Sequence, residues 1–389
     1  MRRRLAVITE IIAPYRIPVF NALAREHDID LHVIFLSETD PTLRHWDVYK
    51  TEINFSYQVL PSWRARIGRQ TLLLNRGLNR ALRSFHPDII VCGGYNYLAS
   101  WQALSIAKWR VVPFVGWIES TCRERRSLFF PIELAKRFFV RACDAFLVPG
   151  TASADYLEVL GATPHTIFVA PNAIDTHLFF AAAASARENT PSIRSRFGLP
   201  CRFFLFVGRL VEEKGIFDLV EAYSRLSADT RHEIGLVFVG DGPARDQISV
   251  RTARISPGSV RTLGFLQRDD LAQIYPLADA LVFPTYSDAW GLVVNEAMAC
   301  GLPVITTEVA GCHRDLVHHG ENGFVVSAGD INSLFECMNQ LALNPELRER
   351  MGQRGADRIA HYSPQNCAAG FASLQFENSQ GAPRWKPVG

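Results

Sequence analysis

The sequence predicts an α/β protein made of two doubly wound, parallel-sheet domains in series. Three observations carry this. Short, continuously apolar runs alternate with helical patterns; the alternation breaks off near residue 181 and restarts near residue 201; and 389 residues is length enough for two to three domains. Strands that are apolar along their whole length are buried on both faces, as in parallel sheets covered by helices on both sides.

The elements follow in order. Arg4 to Thr9 (RLAVIT) is a strand, followed by a loop around Pro14 and a helical pattern from Pro18 to Arg25 with Val19, Phe20, Leu23 and Ala24 on its apolar face. LHVIFLS is a strand, Thr71 to Phe85 a helix, and PDIIVCGG a strand closed by glycines. VVPFVGWI is a strand, Ile132 to Ala142 a helix, and DAFLVPG and HTIFVAPN are strands. Residues 181 to 192 (AAAASARENTPS) are small, polar and proline-ended, which predicts a linker. Beyond it CRFFLFVGRL, EIGLVFVGDGP, SVRTLGF, DALVFPT, LPVITT and GFVVS are strands, with helices over IFDLVEAYSRL and from about Leu292 to Cys300. In such sheets ligands sit beyond the carboxyl ends of the strands, so the loops after strands are where chemistry is expected.

Composition excludes several classes. Hydrophobic residues at 48% and charged residues at 21% describe a globular chain, and 41 basic against 39 acidic residues gives +2, which argues against a nucleic-acid partner. Splitting at residue 190 gives 22 basic and 17 acidic residues, then 19 and 22, so the halves carry about +5 and −3. The eight cysteines lie far apart without a C-x-x-C pair, and they read as reduced thiols of a cytoplasmic protein. The opening MRRRLAVITEIIAPYR loses its apolar run at Thr9 and Glu10, too early for a signal-peptide core. Ile89 to Ala107 has no charge, yet Gly93, Gly94, Asn96, Ser100 and Gln102 interrupt it, so it reads as strand, turn and helix and not as a membrane span.

The densest chemical signal is PTYSDAWGLVVNEAMACGLPVITT, residues 284 to 307. A polar loop carries Asp288, a helix opens at Gly291, Leu292 and Val293, and Glu296 follows within the helix. The opening turn of a helix offers unpaired N–H groups and the positive end of its dipole, an anion site. Two carboxylates eight residues apart, one in the loop and one on the helix, can reach different hydroxyls of one polyol ligand. The plainer alternative makes Asp288 a dipole partner and Glu296 a solvated helix residue. Its neighbours Val293, Val294, Ala297 and Met298 favour a partner or ligand for Glu296, because a carboxylate in an apolar stretch needs one.

On these residues the sequence resembles the retaining glycosyltransferases of GT-B fold known as family 4, or glycosyl transferases group 1. Their hallmark is an acidic residue, seven intervening residues, then Glu-Ala-Met-Ala-x-Gly-x-Pro-Val; here Asp288 precedes Glu296-Ala-Met-Ala-Cys-Gly-Leu-Pro-Val304, with Asp where the family usually has Glu. FVGRLVEEKGIFDLVEAY, residues 206 to 223, matches a second segment, in which a guanidinium (Arg209) and an ammonium (Lys214) follow Gly208 in a loop after a strand. FVGDGPARDQI and the following Gly264-Phe265 match a third, which borders the nucleotide base. Gly240 and Gly242 do not make a dinucleotide fingerprint, since Arg245 stands where its third glycine would be. Asp28-Ile-Asp30 reads as a turn and not as the metal motif of another transferase fold.

The resemblance implies two Rossmann-like domains facing a central cleft: residues 1–185 on the acceptor side, joined by a C-terminal helix over 365–380, and 190–364 binding the nucleotide sugar. It implies an enzyme that moves a sugar from a nucleotide-diphosphate donor to a hydroxyl with retention, without a metal or other cofactor. Arg209 and Lys214 would clamp the diphosphate, Glu296 the ribose and Asp288 a sugar hydroxyl, with donor contacts at Gly208, Gly264, Phe265, Gly291, Leu292 and Val293. The first domain departs from the family: its first post-strand loop is Ile12-Ala13-Pro14-Tyr15-Arg16 instead of glycine-rich, and Glu119-Ser120-Thr121 stands where a family histidine is absent, so Tyr15, Arg16 and Glu119 are candidate acceptor or sugar contacts. The acceptor class is a glycan, glycolipid or small hydroxyl compound, and the base stays open among UDP, GDP and ADP. Basic and aromatic residues from Arg123 to Arg141, with Lys136, Arg137 and Arg141 beside Phe138 and Phe139, suggest a peripheral contact with an anionic membrane surface, set against a buried phenylalanine face with a solvated basic edge. A nucleotide-sugar epimerase of related fold and a catalytically silent nucleotide-sugar-binding protein are the competing readings.

Overall fold

The computed structural model describes residues 2–40, 46–67, 70–123, 130–253, 255, 258–379 and 382–385. The chain divides into two compact units, Met1–Ala173 with Pro364–Gly389, and Ile174–Ser363.

The first unit holds a seven-stranded parallel sheet of β1 (Arg3–Thr9), β2 (Ile29–Phe35), β3 (Ser56–Val59), β4 (Ile89–Gly93), β5 (Phe114–Trp117), β6 (Ala145–Val148) and β7 (Ile167–Val169), in the order β3-β2-β1-β4-β5-β6-β7. The apolarity of its central strands has a direct cause. In β1, Leu5 and Val7 enter a core with Phe20, Phe35 and Trp117, whereas Ala6 and Ile8 enter a second core with Leu82, Ala103 and Phe114 on the other face. The helix Pro364–Ala372 belongs to the first of these cores through Cys367, Ala368 and Phe371, and Phe371 meets Trp117 edge-on at 5.0 Å.

Two sequence expectations in this unit change. Residues 71–85 are not one helix: Gln70–Asn75 pairs antiparallel with Ser62–Ile67, and the helix is confined to Leu78–Phe85. Gly77, at φ 88°, breaks any helix that would join them, and the Asn75 side chain is spent on the carbonyl of Leu36 at 2.5 Å. The second change concerns the basic helix Phe130–Ala142, where Phe139 is buried, Phe138 is 65% exposed and Lys136 turns inward to Glu133 (2.6 Å) and the Tyr156 hydroxyl (3.1 Å). Arg137 and Arg141 are the exposed cations of that helix, while residues 124–129 of the basic stretch lie outside the described residues. The uncharged run Ile89–Ala107 divides as expected into β4, a turn at Gly94 and the helix Leu98–Arg110, and among the described residues no helix is long and apolar enough to cross a membrane.

The second unit carries a six-stranded parallel sheet: β8 (Arg202–Val207), β9 (Ile234–Val239), β10 (Val260–Thr262), β11 (Ala280–Phe283), β12 (Val304–Thr307) and β13 (Gly323–Val326), in the order β10-β9-β8-β11-β12-β13. Phe203, Phe204, Leu205 and Phe206 are all fully buried, again because both faces are covered. The expected linker at 181–192 is helical instead, within Thr176–Glu188 and Thr190–Phe197. Alanine is the strongest helix former, Asp175 caps the first helix by accepting from the Leu178 N–H at 3.1 Å, and a proline in the first turn opens the second helix without losing a hydrogen bond. The division between the units falls at Ala173–Ile174, ahead of that stretch. In this sheet the strand order reverses between β8 and β11, the place where doubly wound sheets open a ligand crevice.

Candidate active site

β8 and β11 lie side by side, with Phe204 opposite Ala280 and Leu205 opposite Leu281, so the loops at their carboxyl ends are neighbours. The first loop runs from Gly208 through Arg209 to the short turn Glu212–Lys214 and enters the helix Ile216–Ser224. The second runs from Pro284 through Asp288 to the helix Leu292–Ala299. Two glycines let the backbones meet. A Cβ on Gly215, which sits at φ +69°, would lie 1.9 Å from the Pro284 carbonyl oxygen, and one on Gly311 would lie 1.8 Å from that of Ala289.

Across this junction the structure joins two residues that the sequence suggested separately. The buried Lys214 ammonium donates to Asp288 Oδ2 at 2.7 Å and to the Ser287 carbonyl at 2.6 Å. The other carboxylate oxygen of Asp288, Oδ1, accepts from the Trp290 N–H at 3.1 Å, and the backbone oxygen of Asp288 accepts from the Gly311 N–H at 3.0 Å. The loop is further fixed by Trp290 Nε1 donating to Asn295 Oδ1 at 2.9 Å and by the Thr307 hydroxyl donating to the Thr285 carbonyl at 2.6 Å. Arg209 is exposed, and its side chain makes no hydrogen bond or ion pair among the described residues.

Gly291 opens the helix Leu292–Ala299 at φ +93°, with no side-chain cap and no acidic residue in the first turn. The N-terminal N–H groups at Leu292 and Val293 are thus not claimed by a capping side chain, and the turn keeps its positive potential. Within this helix the partly buried Glu296 accepts from the Tyr275 hydroxyl at 2.6 Å. Burial pushes the Glu296 carboxyl up to about 7, and the hydrogen bond from Tyr275 works in the other direction. Gly208 and Gly264 lie beyond the ends of β8 and β10, the two strands that flank β9: Gly208 N–H donates to Val239 O at 3.0 Å and Gly240 N–H to Gly264 O at 2.8 Å. Phe265, next to Gly264, is 42% exposed.

The remaining candidates, Tyr15, Arg16 and Glu119, belong to the first unit and gather at the carboxyl ends of β1 and β5. Arg16 donates to Glu119 Oε1 at 3.0 Å and to the Thr9 hydroxyl at 3.2 Å, its guanidinium 3.9 Å from the Trp117 ring centroid. Tyr15 meets Trp46 edge-on at 6.0 Å. Sequence reasoning missed Tyr275, Ser287 and the Trp290–Asn295 bond. The apolar neighbours of Glu296 signalled a partner, but that partner lies 21 residues upstream, beyond the reach of local spacing.

Two family models match the chain in turn: Glycosyltransferase Family 4 over residues 20–178 and Glycosyl transferases group 1 over residues 193–358. Among curated proteins, glycogen synthase of Mycobacterium tuberculosis is 25% identical over 78% of this chain and 72% of its own length. Sulfoquinovosyl transferase SQD2 of Arabidopsis thaliana is 29% identical over 75% of this chain and 57% of its own length. Among solved structures, Anabaena HepE in complex with UDP superposes with a TM-score of 0.72 at 18% identity, covering 95% of this chain and 98% of that one. WaaG, a glycosyltransferase involved in lipopolysaccharide biosynthesis, does so with a TM-score of 0.65 at 18% identity, covering 95% and 98%. At these identities the two structures speak for the fold.

Proposed function

The chain belongs to the glycosyltransferases of group 1 and family 4, of GT-B fold, and on that footing we propose that it transfers a sugar from a nucleotide-diphosphate donor to a hydroxyl acceptor with retention of configuration. The observation that carries the reading is the β8/β11 junction, where a buried Lys214, an unengaged Arg209 and an uncapped helix N-terminus supply positive potential.

In the proposed reaction the bond from the anomeric carbon to the β-phosphate oxygen breaks. The acceptor oxygen bonds to that carbon on the same face, and the acceptor proton passes to an oxygen of the departing diphosphate. Negative charge grows on the diphosphate as the bond opens. Lys214, held by two hydrogen bonds, meets this charge without reorganising, the arrangement that most lowers such a barrier, and the exposed Arg209 adds a second cation from the same loop. Two of the three Lys214 donors are committed, which holds the third in a fixed direction. Asp288 steadies Lys214 and offers its remaining lone pairs to a sugar hydroxyl, Glu296 takes the ribose hydroxyls, and Gly208, Gly264, Phe265, Gly291, Leu292 and Val293 line the donor. Because resident cations do this work, turnover needs no metal and EDTA leaves it unchanged. In the first unit, Glu119 is the acceptor or sugar contact, held by Arg16, whose guanidinium lies 5.7 Å from the Tyr15 ring centroid.

Anabaena HepE was solved with UDP and with UDP-glucose, so UDP-sugars head the donor panel, with GDP- and ADP-sugars beside them in a thermal-shift screen. The test is turnover of the Arg209→Ala, Lys214→Ala double variant. Loss of the two cations lowers kcat by about 10³-fold or more with the circular-dichroism spectrum unchanged; full activity would refute their role. Donor incubated alone, followed by sugar analysis, separates transfer from epimerisation, and neither hydrolysis nor transfer across an acceptor panel would leave a silent binding protein. Phe138, Leu134, Arg137 and Arg141 form an exposed apolar and basic face for an anionic membrane, checked by sedimentation with vesicles containing phosphatidylglycerol.

A further inference from the structure

Glu296 has one hydrogen-bond partner among the described residues, and that partner is unusual in its burial. Tyr275 is fully buried, sits in the short turn Tyr275–Leu277 just ahead of β11, and is wedged edge-on against Phe179 at 6.1 Å. Its hydroxyl reaches Glu296 Oε2 at 2.6 Å, a short charge-assisted bond, and leaves Oε1 without a protein partner. A hydroxyl needs no such burial merely to fill space, since phenylalanine would pack as well. Burying a polar group is costly unless its bond is made, so this hydroxyl is kept for the carboxylate.

We propose that Tyr275 is a positioning residue, which turns Glu296 so that Oε1 faces the donor and holds it as the carboxylate. This rests on the reading of Glu296 as the contact to the nucleotide ribose. The titratable groups that bear on the pair are few. Tyr275 is the group that acts on Glu296, and Cys300, at the end of the same helix, bears on Tyr275; among the described residues no Lys, Arg or His pairs with either. Burial drives the Tyr275 phenol well above its ordinary range, so it stays a donor at every assay pH. Burial alone favours the neutral acid at Glu296 and the Tyr275 bond opposes it, so removing the hydroxyl raises the carboxyl further above about 7.

The experiment measures UDP affinity by calorimetry from pH 6 to 9 in wild type and Tyr275→Phe, beside the Glu296 carboxyl titration followed by ¹³C NMR in nucleotide-free protein, assigned by difference from Glu296→Gln. The expected result is UDP binding about fivefold weaker at pH 7 in Tyr275→Phe, the gap narrowing toward pH 9 without closing, with the carboxyl titration displaced upward. 3-Fluorotyrosine at position 275, a stronger donor, displaces it downward, which keeps the test open should Tyr275→Phe fold poorly. An unmoved carboxyl titration in both variants overturns the positioning role whatever nucleotide does. A moved titration with unchanged UDP affinity also overturns it, and unchanged affinity in Glu296→Gln as well would place the failure in the ribose reading itself.

Discussion

Lys214 has three N–H donors and spends two of them inside the protein, on Asp288 and on a backbone carbonyl. The side chains of the pair are 11% and 24% exposed, so breaking it strands a nearly buried cation. Asp288→Ala should therefore cost about 2–3 kcal/mol in urea unfolding, and it should weaken bare UDP through the lost placement of Lys214 and a UDP-sugar further, through the lost contact to the sugar hydroxyl. A loss confined to the sugar-bearing donor would show Asp288 acting on the sugar alone. Glu296 gives a second test at this scale, with the sign set by its raised carboxyl. In the unfolded chain it ionises near 4.5 and in the folded protein near 7, so the folded state holds the proton more tightly. That stability is present below pH 4.5 and is lost as pH rises through 7. Glu296→Gln removes this loss: its melting temperature relative to wild type should be higher at pH 8 than at pH 5, without nucleotide. Equal differences at both pH values would mean that Glu296 is not strained by burial. Both carboxylates were legible from spacing and apolar neighbours, whereas their partners were not, because Lys214 is 74 residues from Asp288 and Tyr275 is 21 from Glu296.

Elements were legible where one physical cause dominated. Phe203 to Phe206 could only be a strand covered on both faces, and the loops after β8 and β11 could be assigned to the site before their contacts were known. The hairpin Ser62–Ile67 with Gln70–Asn75 was hidden because a leucine run fits a helix as well as a strand, and only the pairing decides. The alanine-rich stretch at 181–192 misleads in the opposite direction, its proline opening a helix where the composition predicts a linker. The site's own geometry depends on close backbone approach, which Gly311 makes testable. A methyl group there would press 1.8 Å from the Ala289 carbonyl oxygen, so the Asp288–Trp290 segment must move. Gly311→Ala should destabilise the protein by about 3 kcal/mol or more, as strain at a closed position does, and it should weaken UDP binding although residue 311 carries no chemistry. Retention of wild-type affinity would show that the loop tolerates the displacement.

At the scale of the molecule, each unit has its own core: Ile174 to Ile359 supply one, and the two faces of the first sheet supply the others. The C-terminal helix was assigned to the first domain through resemblance alone, since nothing in its sequence says which core Cys367, Ala368 and Phe371 enter. The structure puts them beside Phe20 and Trp117, with Phe371 1% exposed. Phe371→Ala removes a ring from that core and should cost about 3–5 kcal/mol, lowering the melting of a unit this size by roughly 10 °C. UDP should act elsewhere: at 100 times its dissociation constant a ligand stabilises the unit that binds it by about 2.7 kcal/mol. Scanning calorimetry should therefore show Phe371→Ala depressing one transition while UDP raises another, in wild type and variant alike. If both changes fall on a single transition, the two units melt as one cooperative body, and a substitution near the chain end would then be felt in full by the nucleotide-binding residues more than 70 positions away.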